Sequence, residues 1–445
     1  MWGELNWKSF ADDLVLLSET KSGLKNCLAK LESYCNDWGL KVNPLKTKVL
    51  VFNKKFTNTI KNMIFYIDGN PIAVTNSYCY LGVEVSNTGS FVKATDILYK
   101  KGLKSLYSIY SSLDVRSDQS STRLFLKLFD SLVKPVLLYG CEIWGTLATN
   151  SKNNLDIFAN KPKNTIEKFV NKFYRTLLAV PQRTSTVGIH SELGRFPIHL
   201  NIQQAMIKFW FRLISLPTDR LAAHCYWSLF YKKPCNDPWL KAIQTIIISS
   251  GQYFIWDTQE TLSQADFRTL FRFESNICQT LRDTSLQQTN EKIHNETKLS
   301  YFQDCKPHTQ MSSYLTKLNG RSKRSYFSKL RLGSLELEIE KGRWHNIPRF
   351  ERHCKLCNSL EIESVEHFIL SCPALSQSRD PFIQSISVRN SMFESMSPAT
   401  KVKYLFFNES LPINLLEIAS DLLLNLAESR KTLLNNISNS NIDTV

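Results

Sequence analysis

Four residues near the carboxy end of the sequence have the types and spacing of a metal site. In "CKLCNSLEIESVEHFILSC", two residues separate Cys354 from Cys357, nine separate Cys357 from His367, and four separate His367 from Cys372. A Cys-x2-Cys turn can aim two thiolates at one ion, and His-x4-Cys sets two more ligands about one helical turn apart. Four such ligands leave no open coordination position, so the spacing predicts structural rather than catalytic Zn2+. The segment "SVEHFILSC" is expected to be the short helix that carries the second pair.

A different chemistry stands at the other end. "WKSFADDLVLLSET" places Asp12 and Asp13 side by side in an apolar run. The flanks are rich in aromatic and branched side chains, and "Ala-Asp-Asp" is turn-forming, so a tight β-hairpin with acids at its tip is predicted. Mg2+ takes hard oxygen ligands, commonly one or two carboxylates together with substrate phosphates. Successive strand residues face opposite sides, so the two acids converge only with help from the turn. A solvated, exposed turn is the alternative.

A third group could hold polyanions. Lys100, Lys101 and Lys104 lie on one predicted helix, and between 311 and 355 basic and aromatic residues interleave, with Arg321, Lys323, Arg324, Arg331, Arg343 and Trp344 foremost. Such a mixture can neutralise phosphates and stack on bases, or it can be a solvated helix face and a local core.

The elements that would position these groups change character along the chain. Leu24, Leu28, Leu31, Cys35 and Trp38 recur at helical spacing, closed by Gly39. A turn at Asn43-Pro44, a strand from Val49 to Phe52, a hairpin around Asp68-Gly69-Asn70 and a single strand over "YCYLGVEV" are expected next. Four amphipathic helices follow between 93 and 216, then a polar stretch from 217 to 310 with weak helical signals, and a leucine-rich helical tail. The fold class is α+β, divided as 1–90, 91–220, 221–350, 351–380 and 381–445. At 445 residues and 43% hydrophobic content, the chain can bury sizeable cores. A net charge of +15 points to a polyanionic partner. Eleven irregularly spaced cysteines fit a reducing, intracellular compartment, and no apolar run reaches membrane-spanning length.

Taken in order, "FADDLVLLSET", "DWGLKVNPLKTKVLVF", "YLGVEV", "LFDSLVKPVLLYGCEIWG", "HSELGRFPI" and "CKLC…EHFILSC" resemble the reverse transcriptases of LINE-type, non-LTR retrotransposons. The similarity runs from about residue 7 to 380. It implies a partial polymerase palm in 1–90, a thumb-like helical region in 91–220, a mixed linker in 221–350, a zinc module in 351–380 and a helical tail. On that analogy Asp12 is a Mg2+ ligand and Asp13 its supporting partner, and Lys46 approaches the incoming nucleoside triphosphate. The implied partners are RNA and DNA as template and primer, with nuclear or cytoplasmic residence and no membrane.

The same analogy exposes a gap. The family's palm carries a further catalytic aspartate on an upstream strand, and the ions of two-metal phosphoryl transfer are bridged by acids from more than one strand. The sequence is therefore expected to be a carboxy-terminal fragment, or a non-catalytic nucleic-acid-binding zinc protein derived from a retroelement. The purified chain is predicted to incorporate no nucleotide on an RNA template; primer extension with labelled nucleotides checks this, and any Mg2+-dependent product refutes it.

Overall fold

The strand-forming runs at the amino end pair as three small sheets. β1 (Trp7–Phe10) and β2 (Asp13–Leu16) are antiparallel, with Phe10 opposite Asp13, so Ala11 and Asp12 form a two-residue loop. Helix α1 (Lys21–Asp37) starts at Thr20, whose side chain accepts from the Gly23 N–H at 3.0 Å. It ends in a Schellman motif: Gly39 is left-handed at φ 63°, and the Leu40 N–H reaches the Cys35 carbonyl at 2.8 Å. The buried stripe stops at Cys35. Trp38, expected on that stripe, falls past the last helical turn and is 68% exposed.

β3 (Lys48–Leu50), β4 (Phe65–Ile67) and β5 (Asn70–Thr75) form a sheet of order β3-β5-β4, with β3 parallel and β4 antiparallel to β5. The expected hairpin is present, turning at Asp68-Gly69 with both residues at positive φ. The single strand expected over "YCYLGVEV" is instead a second hairpin, β6 (Ser77–Tyr80) and β7 (Val83–Ser86), because Leu81 and Gly82 both take positive φ. A sequence reading that gives leucine no turn tendency misses it. Leu28, Val49, Phe65, Ile67 and Ile72 are the core, with Leu16, Leu24 and Leu31 packed against it. Leu16 thus ties the acid-bearing hairpin to that core.

The computed structural model describes residues 7–53, 57–117, 121–146, 165–232, 237–303, 305–357 and 359–440. It divides into two compact units, Met1–Ile97 and Leu98–Val445. The helices beyond residue 97, the 221–350 region, the cysteine motif and the carboxy-terminal helix belong to the second.

Helix α2 runs from Val92 to Ser112. The next predicted helix is broken into Thr122–Leu128, a π turn at Phe129–Val133, and Lys134–Leu137. Pro135 lacks an N–H, and the wider turn before it removes the clash its ring would make in a regular helix. α3 (Thr165–Leu178) buries Phe169, Val170, Phe173 and Leu177, and Phe129 stacks on Phe173 at 4.3 Å. α4 (Thr186–Leu193) is followed by α5 (Ile198–Ile214), which packs against α3 and against α6 (Phe267–Asn295).

At 29 residues, α6 is the longest described helix, in a stretch whose sequence gives only weak helical signals. The reason lies in its buried face, which runs Leu270, Ile277, Leu281, Ser285, Thr289 and Ile293. Two hydroxyl residues sit where the apolar period would continue, and the Thr289 hydroxyl donates back to the Ser285 carbonyl at 2.7 Å. α7 (Arg321–Arg331), α8 (Glu338–Trp344), α9 (Ser376–Arg389), α10 (Pro398–Phe406) and α11 (Ile413–Ser440) complete the unit. α11 lies against α9 and α7, and Leu415, Leu416, Leu422, Leu423 and Leu426 are buried. No described helix is long and apolar enough to cross a membrane.

One charged cluster joins several of these elements. Arg331, at the end of α7, is 2% exposed, and its Nε lies 2.6 Å from Glu192 Oε1, at the end of α4. The same guanidinium donates to the Phe406 carbonyl at 2.8 Å and to Glu409 Oε1 at 2.8 Å. Ser312 and Tyr314 donate to the Glu192 carboxylate, and the Ser312 N–H reaches the Glu192 carbonyl at 2.9 Å. Burial opposes the charge on Arg331, but Glu192, Cys305, Tyr314 and Glu409 outweigh it and hold its pKa above the ordinary value. Arg331→Met is predicted to destabilise this unit by about 3–5 kcal/mol, because it leaves Glu192 buried without its counter-charge. Adding Glu192→Gln should restore part of the loss. Urea unfolding followed by circular dichroism checks both, and a cost under about 1 kcal/mol refutes the assignment.

Candidate functional site

The hairpin tip is built as the sequence predicts. Asp12 lies in the loop, Asp13 opens β2, and both are exposed. Ala11 has φ 52°, a left-handed conformation that costs an alanine about 1–2 kcal/mol. Non-glycine residues persist there when their surroundings over-determine the turn, as they do at ligand sites. Neither acid belongs to a cluster of three or more metal-ligating side chains among the described residues. The pair has the number of carboxylates that Mg2+ commonly takes from a protein, and a two-metal centre would need acids from further strands.

Lys46 projects from a rigid turn. Asn43 Oδ1 accepts from the N–H groups of Leu45 at 3.0 Å and Lys46 at 3.3 Å, the side-chain turn that Asn-Pro favours. The Thr47 hydroxyl donates to the Asn43 carbonyl at 2.8 Å, and the Tyr78 hydroxyl donates to the Lys46 carbonyl at 3.3 Å. The ammonium itself is exposed.

The cysteine motif converges. The ligating atoms of Cys354, Cys357, His367 and Cys372 all lie within 4.8 Å of one another. Cys354 Sγ is 3.9 Å from Cys372 Sγ, and Cys357 Sγ is 3.4 Å from His367 Nε2. A tetrahedral ion with Zn–S bonds of about 2.3 Å requires ligand edges of roughly 3.8 Å, so both separations fit. The predicted helix is a π turn, His367–Ser371, in which the Cys372 N–H reaches the His367 carbonyl at 2.8 Å. A bond spanning five residues brings His367 and Cys372 to one side of a single turn.

The surrounding groups orient the ligands. Glu361 Oε2 lies 2.6 Å from His367 Nδ1, which fixes Nε2 as the ring nitrogen facing the thiols. Sequence reasoning missed Glu361, although a carboxylate between the two ligand pairs was a usable signal. Burial pushes the Cys354 thiol up to about 12 and raises Cys372 as well. Burial also opposes the Cys357 thiolate, but hydrogen bonds from Ser359, Cys354 and His367 bring that thiol down to about 7. Three thiols gathered in this way suit a divalent cation, whose charge stabilises thiolates outright. The loop is anchored in the second unit. Arg430 of α11 grips Glu363 at 2.7 and 2.8 Å, and Arg379 of α9 donates to the Cys372 carbonyl at 2.8 Å.

The basic candidates separate into two classes. Lys100, Lys101 and Lys104 are exposed on α2. Arg324 and Arg331 are buried; the first donates to the Leu318 carbonyl at 2.9 Å and the second holds Glu192, so neither presents its guanidinium to a phosphate. Lys323 is paired with Asp421 at 2.5 Å, and half-buried Arg321 donates to the Thr176 carbonyl at 3.1 Å. Arg343 donates to both Glu340 oxygens, at 2.6 and 2.7 Å, and Trp344 lies half-buried under Arg183.

Comparison with known proteins agrees with the amino-terminal reading. Residues 2–85 match the family model for reverse transcriptase (RNA-dependent DNA polymerase). The chain is 27% identical over 167 residues to the probable RNA-directed DNA polymerase from transposon BS of Drosophila melanogaster, covering 36% of this chain and 18% of that protein. An uncharacterized transposon-derived protein of Caenorhabditis elegans, F52C9.6, is 26% identical over 140 residues, 30% of this chain and 47% of its own. The probable polymerase from transposon X-element of Drosophila melanogaster is 24% identical over 168 residues, 36% of this chain and 18% of its own. The matches thus span less than half of each relative. The hairpin bearing Asp12 and Asp13 lies inside the matched segment, and the chain is related to the LINE-type reverse transcriptases of transposons.

Proposed function

We propose that the chain is the carboxy-terminal portion of a LINE-type RNA-directed DNA polymerase, which extends a primer on an RNA template with nucleoside triphosphates. The observation that carries this is the left-handed Ala11 beneath two exposed acids, within the residues that match the family. Asp12 and Asp13 would hold Mg2+, and Lys46 would meet a triphosphate. Mg2+ supplies charge stabilisation and an activated nucleophile in such chemistry. The residues themselves position: Leu16 fixes the hairpin against its core, and Asn43 fixes the turn under Lys46.

By themselves these 445 residues bind primer–template without extending it, since Asp12 and Asp13 find no third ligating side chain among the described residues. Binding runs through the exposed lysines of α2. Affinity should fall steeply with salt and favour primer–template over plain duplex. Replacing Lys100, Lys101 and Lys104 by alanine should lower the salt slope by about one for each lysine that meets a phosphate. Fluorescence anisotropy across a salt series checks this; an unchanged slope removes α2 from the interface.

A second reading, a nucleic-acid-binding zinc protein without catalysis, is favoured by the convergence of all four cysteine-motif ligands. The two readings part on Asp12→Asn with Asp13→Asn, which weakens Mg2+-dependent binding of primer–template only under the first. Both require the zinc. One ion per chain is expected, with Cys354→Ser abolishing it and Glu361→Gln weakening it about 10- to 100-fold. Competition against a chromogenic chelator measures both effects, and retention of zinc by Cys354→Ser would refute the ligand set.

A further inference from the structure

The loop after α3, the segment after α6 and helix α8 enclose a cleft of about 210 Å3. Three cations line it, Arg183, Lys298 and Arg343, together with Trp344 and Gly333. The Arg183 guanidinium lies over the Trp344 ring, 4.6 Å from its centroid. Arg183 is exposed and pairs with no carboxylate among the described residues. A guanidinium stacked on an aromatic face is held in orientation while its in-plane N–H donors stay free, in the fork geometry that matches phosphate oxygens. Arg343 is locked through Nη1 to Glu340, a contact that does not engage its Nε and Nη2. Lys298 lies 3.4 Å from Glu296. Three cations against the carboxylates of Glu340 and Glu296 leave the rim positive.

The wall beneath is closely built. Gly333 sits at φ 55°, and a Cβ there would meet the Lys298 carbonyl at 2.6 Å. Only glycine lets the backbone of Lys298 come so close, which sets that lysine at the edge of the cleft. The volume accepts a phosphate group and the sugar attached to it.

We propose that this cleft binds a backbone phosphate of a single-stranded polynucleotide, with Arg183 and Lys298 as its donors and Trp344 as the platform for Arg183. The phosphate chemistry follows from the cleft; the polynucleotide as its source rests on the nucleic-acid reading above. The test titrates the full chain with inorganic phosphate and, separately, with a single-stranded oligonucleotide. Indole emission is read in the wild type and in Trp344→Phe, so that the difference reports Trp344. Both ligands are expected to shift that signal, and phosphate to displace the oligonucleotide from the cleft. Arg183→Gln, at an exposed position, should abolish the phosphate response, weaken the oligonucleotide on the order of tenfold and lower its salt slope by about one.

A Trp344 signal that neither ligand moves, with oligonucleotide affinity unchanged in Arg183→Gln, overturns the proposal and leaves binding through α2 standing. A response to inorganic phosphate without one to the oligonucleotide overturns the polynucleotide as the source and assigns the cleft to free phosphate.

Discussion

The buried pair between Arg331 and Glu192 ties together several elements of the second unit that are far apart in sequence. A guanidinium removed from water loses solvation worth several kcal/mol, which only close, well-directed partners recover. Here those partners come from α4, from the carbonyl that ends α10, and from Glu409 just beyond it. A shift of any of these elements by one residue would strand a charge in an apolar interior. Beside them Lys306 Nζ donates to the Ser191 and Gln310 carbonyls, so a second cation ties the same strip to the 305–312 loop. The phrase "HSELGRFPI" is the sequence record of this arrangement. His190, Ser191 and Glu192 are buried, and Gly194 takes φ 62° where a Cβ would strike the Gln310 carbonyl carbon at 2.5 Å. Arg195 meets Asp130 at 2.6 Å. Residue types that could perform catalysis are used for architecture, and the space beside Ser191 and His308, about 10 Å3, has no room for a substrate.

That outcome explains which parts of the molecule were legible in advance. The convergence of the four cysteine and histidine side chains could be read because they lie within nineteen consecutive residues and local turns set their geometry. The acid hairpin could be read for the same reason. The fate of the basic residues could not, since an arginine that meets a phosphate and one that meets a buried glutamate are identical in sequence. Glu192 lies 139 residues from Arg331, and no local pattern connects them. Helix α6 was hidden by Ser285 and Thr289 on its inner face, and the β6–β7 turn by a leucine in a conformation that leucine rarely adopts. In each case tertiary packing overrode local preference.

The metal loop shows how local and distant constraints join. The four side chains that could hold an ion are placed by the Cys-x2-Cys turn and the π turn, but the loop's attachment runs through Glu363, which is not among them. Glu363 is 1% exposed and is satisfied by Arg430 and by the Glu338 N–H at 2.7 Å. The ligand loop, α8 and α11 therefore share one buried carboxylate. A cation that orders the loop also orders the partner of Arg430, so metal affinity and the docking of the tail helix draw on the same free energy. A cation held this way would stiffen a larger unit and need not make the loop an independent finger.

The acid hairpin stands in the opposite condition. Its carboxylates are exposed, its turn is strained at Ala11, and among the described side chains Leu16 packs it against the core. Strain of this kind persists where something besides the turn's own energy selects it. A cysteine–histidine cluster can complete its coordination from within one short segment. A carboxylate centre for phosphoryl transfer cannot, because its ions must bridge acids held on separate strands and oxygens of the substrate. The difference in coordination chemistry accounts for why four cysteine and histidine side chains converge within one segment, whereas two acids on one hairpin would supply only part of a carboxylate centre.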